Sequence, residues 1–99
     1  MVTAVGSNQA VYEASAADSR QDLYNEAQKL WNELNQGTPV SQLSQTQLDE
    51  LKKLADETGS RALQQDVQNL QDLKDSGHGS PADYQRGLEQ IMNDIKRGR

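Results

Sequence analysis

The stretch LKKLADETGSRALQQDVQNL, residues 51–70, decides the fold because it contains two helical patterns separated by one tight turn. Its apolar residues step by three or four positions on either side of the turn, and they are Leu51, Leu54, Leu63, Val67 and Leu70. This spacing places side chains on one stripe of an α-helix. Gly59 can adopt the left-handed conformation that ends a helix, and Ser60 can cap the next one. The stretch therefore predicts a helical hairpin.

The segment on the N-terminal side predicts a further helix behind a polar leader. This first helix is expected to begin near Asp18 or Ser19, because either side chain can accept hydrogen bonds from the free amides of a first turn. It is expected to end at Gly37, since Pro39 cannot continue the hydrogen-bond ladder. Residues 1–17 are small and polar, carry one charge and show no sustained period. We expect them to form a disordered, flexible leader.

Serine residues mark the expected starts of the remaining helices. Ser41 or Ser44 is the predicted cap of the second helix, and Ser80 followed by Pro81 opens the fourth. Strand signals are absent, because no alternating run rich in Val, Ile or Thr occurs. The sequence thus predicts an all-α domain over residues 18–99, a small antiparallel bundle of three to four short amphipathic helices.

The predicted core consists of the apolar stripes of these helices. Its members are Leu23, Ala27, Leu30, Leu34, Leu48, Leu51, Leu54, Leu63, Val67, Leu70, Leu73, Tyr84, Leu88, Ile91 and Ile95. Only 33% of the 99 residues are hydrophobic, so this core is thin and the domain is expected to be marginally stable. Dimerisation or docking on a partner would add binding energy to such a folded state.

Composition argues against several classes of partner. The net charge is −5 and the isoelectric point about 4.7, and an acidic surface repels nucleic acid phosphates and anionic lipids. No apolar run approaches the roughly twenty residues of a membrane span, or the apolar stretch of a secretory signal. The absence of cysteine leaves the compartment open. We expect a cytoplasmic protein, or one exported without a Sec signal.

The central hairpin resembles the helix-turn-helix of DNA-binding families in the spacing of Ala55 and Gly59. Six and nine residues after the glycine, where those families place apolar residues, this chain has Gln65 and Gln68. Three aspartates in the second helix of this hairpin, Asp66, Asp72 and Asp75, would also repel phosphates. A DNA-binding regulator acting through residues 48–75 is kept only as an alternative function, on the strength of the spacing. Its candidate nucleic-acid contacts are Arg61, Gln64, Gln65, Gln68 and Lys74.

No pattern in the sequence is typical of catalysis or of a cofactor site. His78, the one histidine, lies between two glycines in a predicted loop, without a partner to orient its imidazole. The acidic pairs at residues 49–50 and 56–57 belong to no Glu-x-x-His motif or EF-hand loop. We expect no enzymatic activity, no metal and no cofactor.

The aromatic residues indicate protein binding. Tyr24 and Trp31 lie at the edges of the first apolar stripe, Gln28 lies between them, and Tyr12 lies in the leader. Tyrosine and tryptophan dominate the energetics of protein interfaces. The leading hypothesis is a protein-interaction module, an adaptor, regulator, chaperone-like protein or inhibitor, whose partner is another protein or a second copy.

Two further hypotheses concern the biological setting. The polar leader containing Ser, Ala and Asn, the abundance of Gln and the absence of Cys resemble substrates of contact-dependent (type III) secretion. That resemblance in composition implies a small bacterial secreted or secretion-associated protein. The amphipathic faces also allow a self-assembling structural subunit as another alternative function.

Overall fold

The protein is an all-α bundle. The computed structural model describes the backbone of residues 2–99 and the side chains of residues 18–99. A short 3-10 turn, Val40–Gln42, lies between the first two helices, and no strand occurs in these residues. The helices are α1 (Val2–Asn35), α2 (Gln45–Thr58), α3 (Arg61–Ser76) and α4 (Pro81–Lys96). The all-α fold predicted from the sequence is confirmed.

Each helix packs against two others. The helix α1 contacts α2 and α4, and α3 contacts the same two helices from the other side. Tyr24 of α1 contacts Lys96 of α4, and Trp31, further along α1, contacts Glu89, which comes earlier in α4. The two helices are therefore antiparallel. Helices that follow one another in the sequence are also antiparallel, because the loops between them are short. Among the described residues, no helix has the length and hydropathy needed to span a membrane.

Leucine dominates the core. The buried apolar side chains are Leu23, Ala27, Leu30, Leu34, Leu43, Leu48, Leu51, Leu54, Ala55, Leu63, Val67, Leu70, Tyr84, Leu88 and Ile91. Leu73 and Ile95, which the periodicity places in the core, are only partly buried against it. Both belong to the last turns of their helices, where the end of the bundle leaves one side of the helix open. Leu43, in the linker before α2, joins the core instead.

Side-chain caps start the three later helices. Ser44 Oγ accepts a hydrogen bond from the Gln47 amide at 3.2 Å, so α2 begins after Ser44, while Ser41 lies in the 3-10 turn. Ser60 caps α3, and Ser80 caps α4 with Pro81 in its first turn. These caps satisfy amides that have no partner within the helix. They fix the helix starts within the short loops.

The predicted start of α1 at Asp18 or Ser19 is wrong, because the helix runs through both residues. Ser19 is 4% exposed, and its hydroxyl donates a hydrogen bond to Glu57 Oε1 of α2 at 3.3 Å. The serine thus has a partner across the bundle and is not a cap. The predicted leader, residues 1–17, lies outside the residues whose side chains are described, and Tyr12 lies there with it.

The helices α3 and α4 approach each other closely at Gly87. A Cβ atom there would lie 2.6 Å from Leu70 Cδ2 and 3.3 Å from Leu70 Cγ. Leu70 is 1% exposed and has little room to move. A glycine inside a helix costs about 1 kcal/mol relative to alanine, and here it lets Leu70 pack on the backbone of α4.

Leu51→Ala should lower the free energy of unfolding by about 2 to 5 kcal/mol, because the side chain is fully buried and leaves a cavity. Urea unfolding monitored by circular dichroism measures this loss. Leu73→Ala is the matched control, and its loss should be smaller because Leu73 is only partly buried. Equal losses for the two variants would contradict the described core.

Ser80→Ala should lower the free energy of unfolding by about 1 kcal/mol, since it removes the acceptor for the Asp83 amide at the start of α4. Thermal unfolding measures the change. Ser41→Ala is the control, because Ser41 is exposed and caps no helix. A shift in melting temperature for Ser41→Ala as large as that for Ser80→Ala would contradict the assignment of the caps.

Candidate functional site

A groove between α1 and α4 brings together two of the three aromatic candidates, Tyr24 and Trp31. Tyr24 and Trp31 lie about two turns apart on α1, and both side chains are half-buried. The groove has a volume of about 290 Å³. We call it the α1–α4 groove, and its lining residues are Tyr24, Gln28, Trp31, Asn32, Glu89, Met92, Asn93 and Lys96. Here the described part of the apolar stripe of α1 is incompletely covered.

Trp31 is held in position from two sides. Its indole Nε1 donates a hydrogen bond to Glu89 Oε2 of α4 at 2.9 Å. The ring also packs against the buried core. The polar atom of the indole is thereby satisfied, and the remaining surface that it offers is apolar.

Tyr24 lies at the other end of the groove with a positive charge beside it. Lys96 Nζ is 5.6 Å from the centroid of the tyrosine ring, a cation–π distance. Lys96 and Glu89 are seven residues apart on α4, which corresponds to about 10 Å along the helix. The groove therefore has a negative end near Trp31 and a positive end near Tyr24. Gln28 is exposed between the two aromatic residues.

The sequence prediction found the α1 half of this groove and missed the α4 half. Tyr24, Gln28 and Trp31 were candidates, and the structure brings them together. The contribution of α4 was missed because no local pattern says which helix packs beside α1. A signal was present: Glu89, Met92 and Lys96 are spaced by three and four residues and share one face of α4.

The structure divides the candidates for DNA contact. Arg61, Gln64, Gln65 and Gln68 line a shallow depression on the outer face of α3. Lys74 is absent from that depression, and its Nζ donates a hydrogen bond to the Leu43 carbonyl at 3.3 Å. This outer face of α3 therefore carries one guanidinium and several neutral amides.

A buried acidic pair joins α3 to α4, and the sequence analysis missed it. Asp66 is 7% exposed and Asp94 is 3% exposed. Asp66 Oδ2 is buried without a hydrogen-bond partner. Asp66 lies three residues after Leu63 and four before Leu70, so the helical period places it on the edge of the apolar stripe. Asp94 likewise lies three residues after Ile91, a core position.

Burial and proximity shift the pKa values of the two carboxyl groups in opposite directions. Desolvation raises the pKa of Asp66 to about 7, and the hydrogen bond to Asp94 and its charge act in the same direction. The pKa of Asp94 is lowered chiefly by the hydrogen bond from Asp66, with smaller contributions from Gln90, Arg99 and Arg97. One carboxyl group therefore keeps its proton while the other is ionised.

Comparison with protein-family models, with curated proteins and with solved structures finds no match to this chain. Within residues 18–99, no group of three or more His, Cys, Asp or Glu side chains is arranged to hold a metal ion. Function is therefore inferred from the described residues alone, and in particular from the α1–α4 groove.

The protein should not bind a labelled DNA duplex at low salt, because the outer face of α3 has few cations and the net charge is −5. Fluorescence anisotropy of the duplex measures this directly. A complex that weakens as salt rises, and weakens further in Arg61→Ala, would instead support the DNA-binding alternative.

Proposed function

We propose that this protein acts without catalysis, as a helical module that binds an amphipathic helix of another protein in the α1–α4 groove. The observation that carries the proposal is the half-buried Trp31, which Glu89 fixes at one end of a groove lined by both helices. A module of this kind serves as an adaptor, a regulator or an inhibitor.

The fixed aromatic rings favour binding energetically. Tryptophan and tyrosine are enriched among the few residues that supply most of the affinity of an interface. Trp31 is already ordered by its hydrogen bond and its packing on the core. Docking on a side chain that is ordered beforehand avoids part of the entropy loss of association. The groove is therefore expected to bind without rearrangement of α1.

The charges at the two ends indicate the chemistry of the partner helix. Glu89 favours a Lys or Arg on the partner near Trp31, and Lys96 favours an Asp or Glu near Tyr24. Met92 and the aromatic rings accept apolar anchors spaced at i, i+3, i+4 and i+7. The neutral amides on the rims lose their hydration at a lower cost than charged groups would. This combination suits an amphipathic helix with charges of opposite sign at its two ends.

The test uses two matched glutamine substitutions in the full chain. Immobilised protein is used to isolate a binding protein from the source cells, and the dissociation constant of that protein is then measured for each variant. Gln28→Arg places a bulky cation on the exposed rim of the groove and should weaken binding at least tenfold. Gln65→Arg makes the same change on the exposed face of α3 and should leave the affinity unchanged.

A second variant, Trp31→Ala, should weaken binding about thirtyfold, because it removes an interface anchor. Its circular dichroism spectrum is compared with that of the wild type, so that loss of the anchor is separated from loss of the fold. A partner that responds to Gln65→Arg but not to Gln28→Arg would place binding on α3 and contradict the proposal. A wild-type dimer that Gln28→Arg dissociates would show that a second copy fills the groove, which also contradicts it.

A further inference from the structure

The acidic pair is the one place in the described core where two like-charged groups meet. Asp66 of α3 and Asp94 of α4 are both more than nine-tenths buried. Asp66 Oδ2 has no donor near it. A buried oxygen without a partner is unfavourable, and two ionised carboxylates at close range repel each other strongly. A proton on Asp66 Oδ2 removes both penalties, because it supplies a donor for Asp94.

The neighbours of the pair determine which carboxyl group carries the proton. Gln90 Nε2 of α4 donates a hydrogen bond to Asp94 Oδ1 at 3.2 Å. Arg97 and Arg99, which follow α4, act electrostatically on Asp94 and favour its ionised form. The shift at Asp66 comes from burial and from Asp94, with no charged group of α1 or α2 among its causes. Asp94 is therefore the carboxylate, and Asp66 is the acid.

We propose that Asp66 and Asp94 share one proton across the α3–α4 contact in the folded protein, and that its release to water as the pH rises weakens this contact. In that step the O–H bond of Asp66 breaks, water accepts the proton, and the hydrogen bond to Asp94 becomes a repulsion between two carboxylates. The fold thereby contains a pH-sensitive switch. The inference is independent of the proposed function.

The direction of the pH dependence follows from the two states. Burial raises the pKa of Asp66 from 3.8 to about 7 in the folded protein, so the folded state binds the proton more tightly than the unfolded chain does. The folding equilibrium constant should therefore fall by up to tenfold for each pH unit between about 4 and about 7. Asp94, whose pKa is lowered, stabilises the fold above 3.8 and ceases to do so as the pH falls through its folded pKa.

The experiment measures urea unfolding from about pH 5 to about pH 8 in a His78→Asn background. This background removes the only histidine of the sequence, which is exposed in the loop before α4, so that no imidazole contributes to the measurement. Asp66→Asn replaces the acid with an amide that donates to Asp94 at every pH. It should abolish the fall in stability over this range and be more stable than the background protein at about pH 8.

Asp72→Asn is the matched control, because it makes the same change of charge at an exposed position of the same helix. It should keep the full pH dependence. Parallel pH profiles for Asp66→Asn and its background would overturn the proposal. If Asp66→Asn does not fold, the titration midpoint of Asp66 is measured instead, by carbon NMR of the aspartate carboxyl groups in the His78→Asn protein. A midpoint for Asp66 near 7 supports the shared proton, and one near 3.8 overturns it.

Discussion

The packing of one leucine stripe of α1 against two helices at once is the constraint on which the rest of the structure depends. Leu23, Ala27 and Leu30 are almost completely buried, and α1 packs against both α2 and α4. The stripe extends on one side to Tyr24 and Trp31, and α4 covers these rings only in part. The α1–α4 groove is therefore a direct consequence of how the bundle closes.

The contact between α3 and α4 differs from the contacts of α1, because it contains buried charged residues. Two buried positions of α3 and α4 are occupied by Asp66 and Asp94 and not by apolar side chains. Isolated buried charges are strongly disfavoured, so such a pair is tolerated only with a proton between the oxygens. Gly87 lets the two helices come close. The stability of this contact is thereby linked to pH, whereas the stability of the α1 contacts depends on apolar burial.

Helix starts and apolar stripes were predictable from the sequence because their causes are local. Ser60 and Ser80 cap helices through amides three residues away. The same local reasoning was wrong at Ser19, since its hydroxyl finds Glu57 on another helix. The partners of Trp31 and Asp66 lie on α4, and no spacing within α1 or α3 identifies them. Local chemistry thus predicts the elements and half of the groove, while the remaining half and the acidic pair require the tertiary arrangement.

The central claim is that one chain completes the bundle and leaves one edge of Trp31 open. Sedimentation equilibrium over a wide concentration range tests it most directly, with circular dichroism and acrylamide quenching of Trp31 recorded on the same samples. The account predicts a monomer whose helix content does not change on dilution, with Trp31 emission quenched in part at every concentration. Loss of helix content as a dimer dissociates would contradict it, because the core would then be shared between two chains.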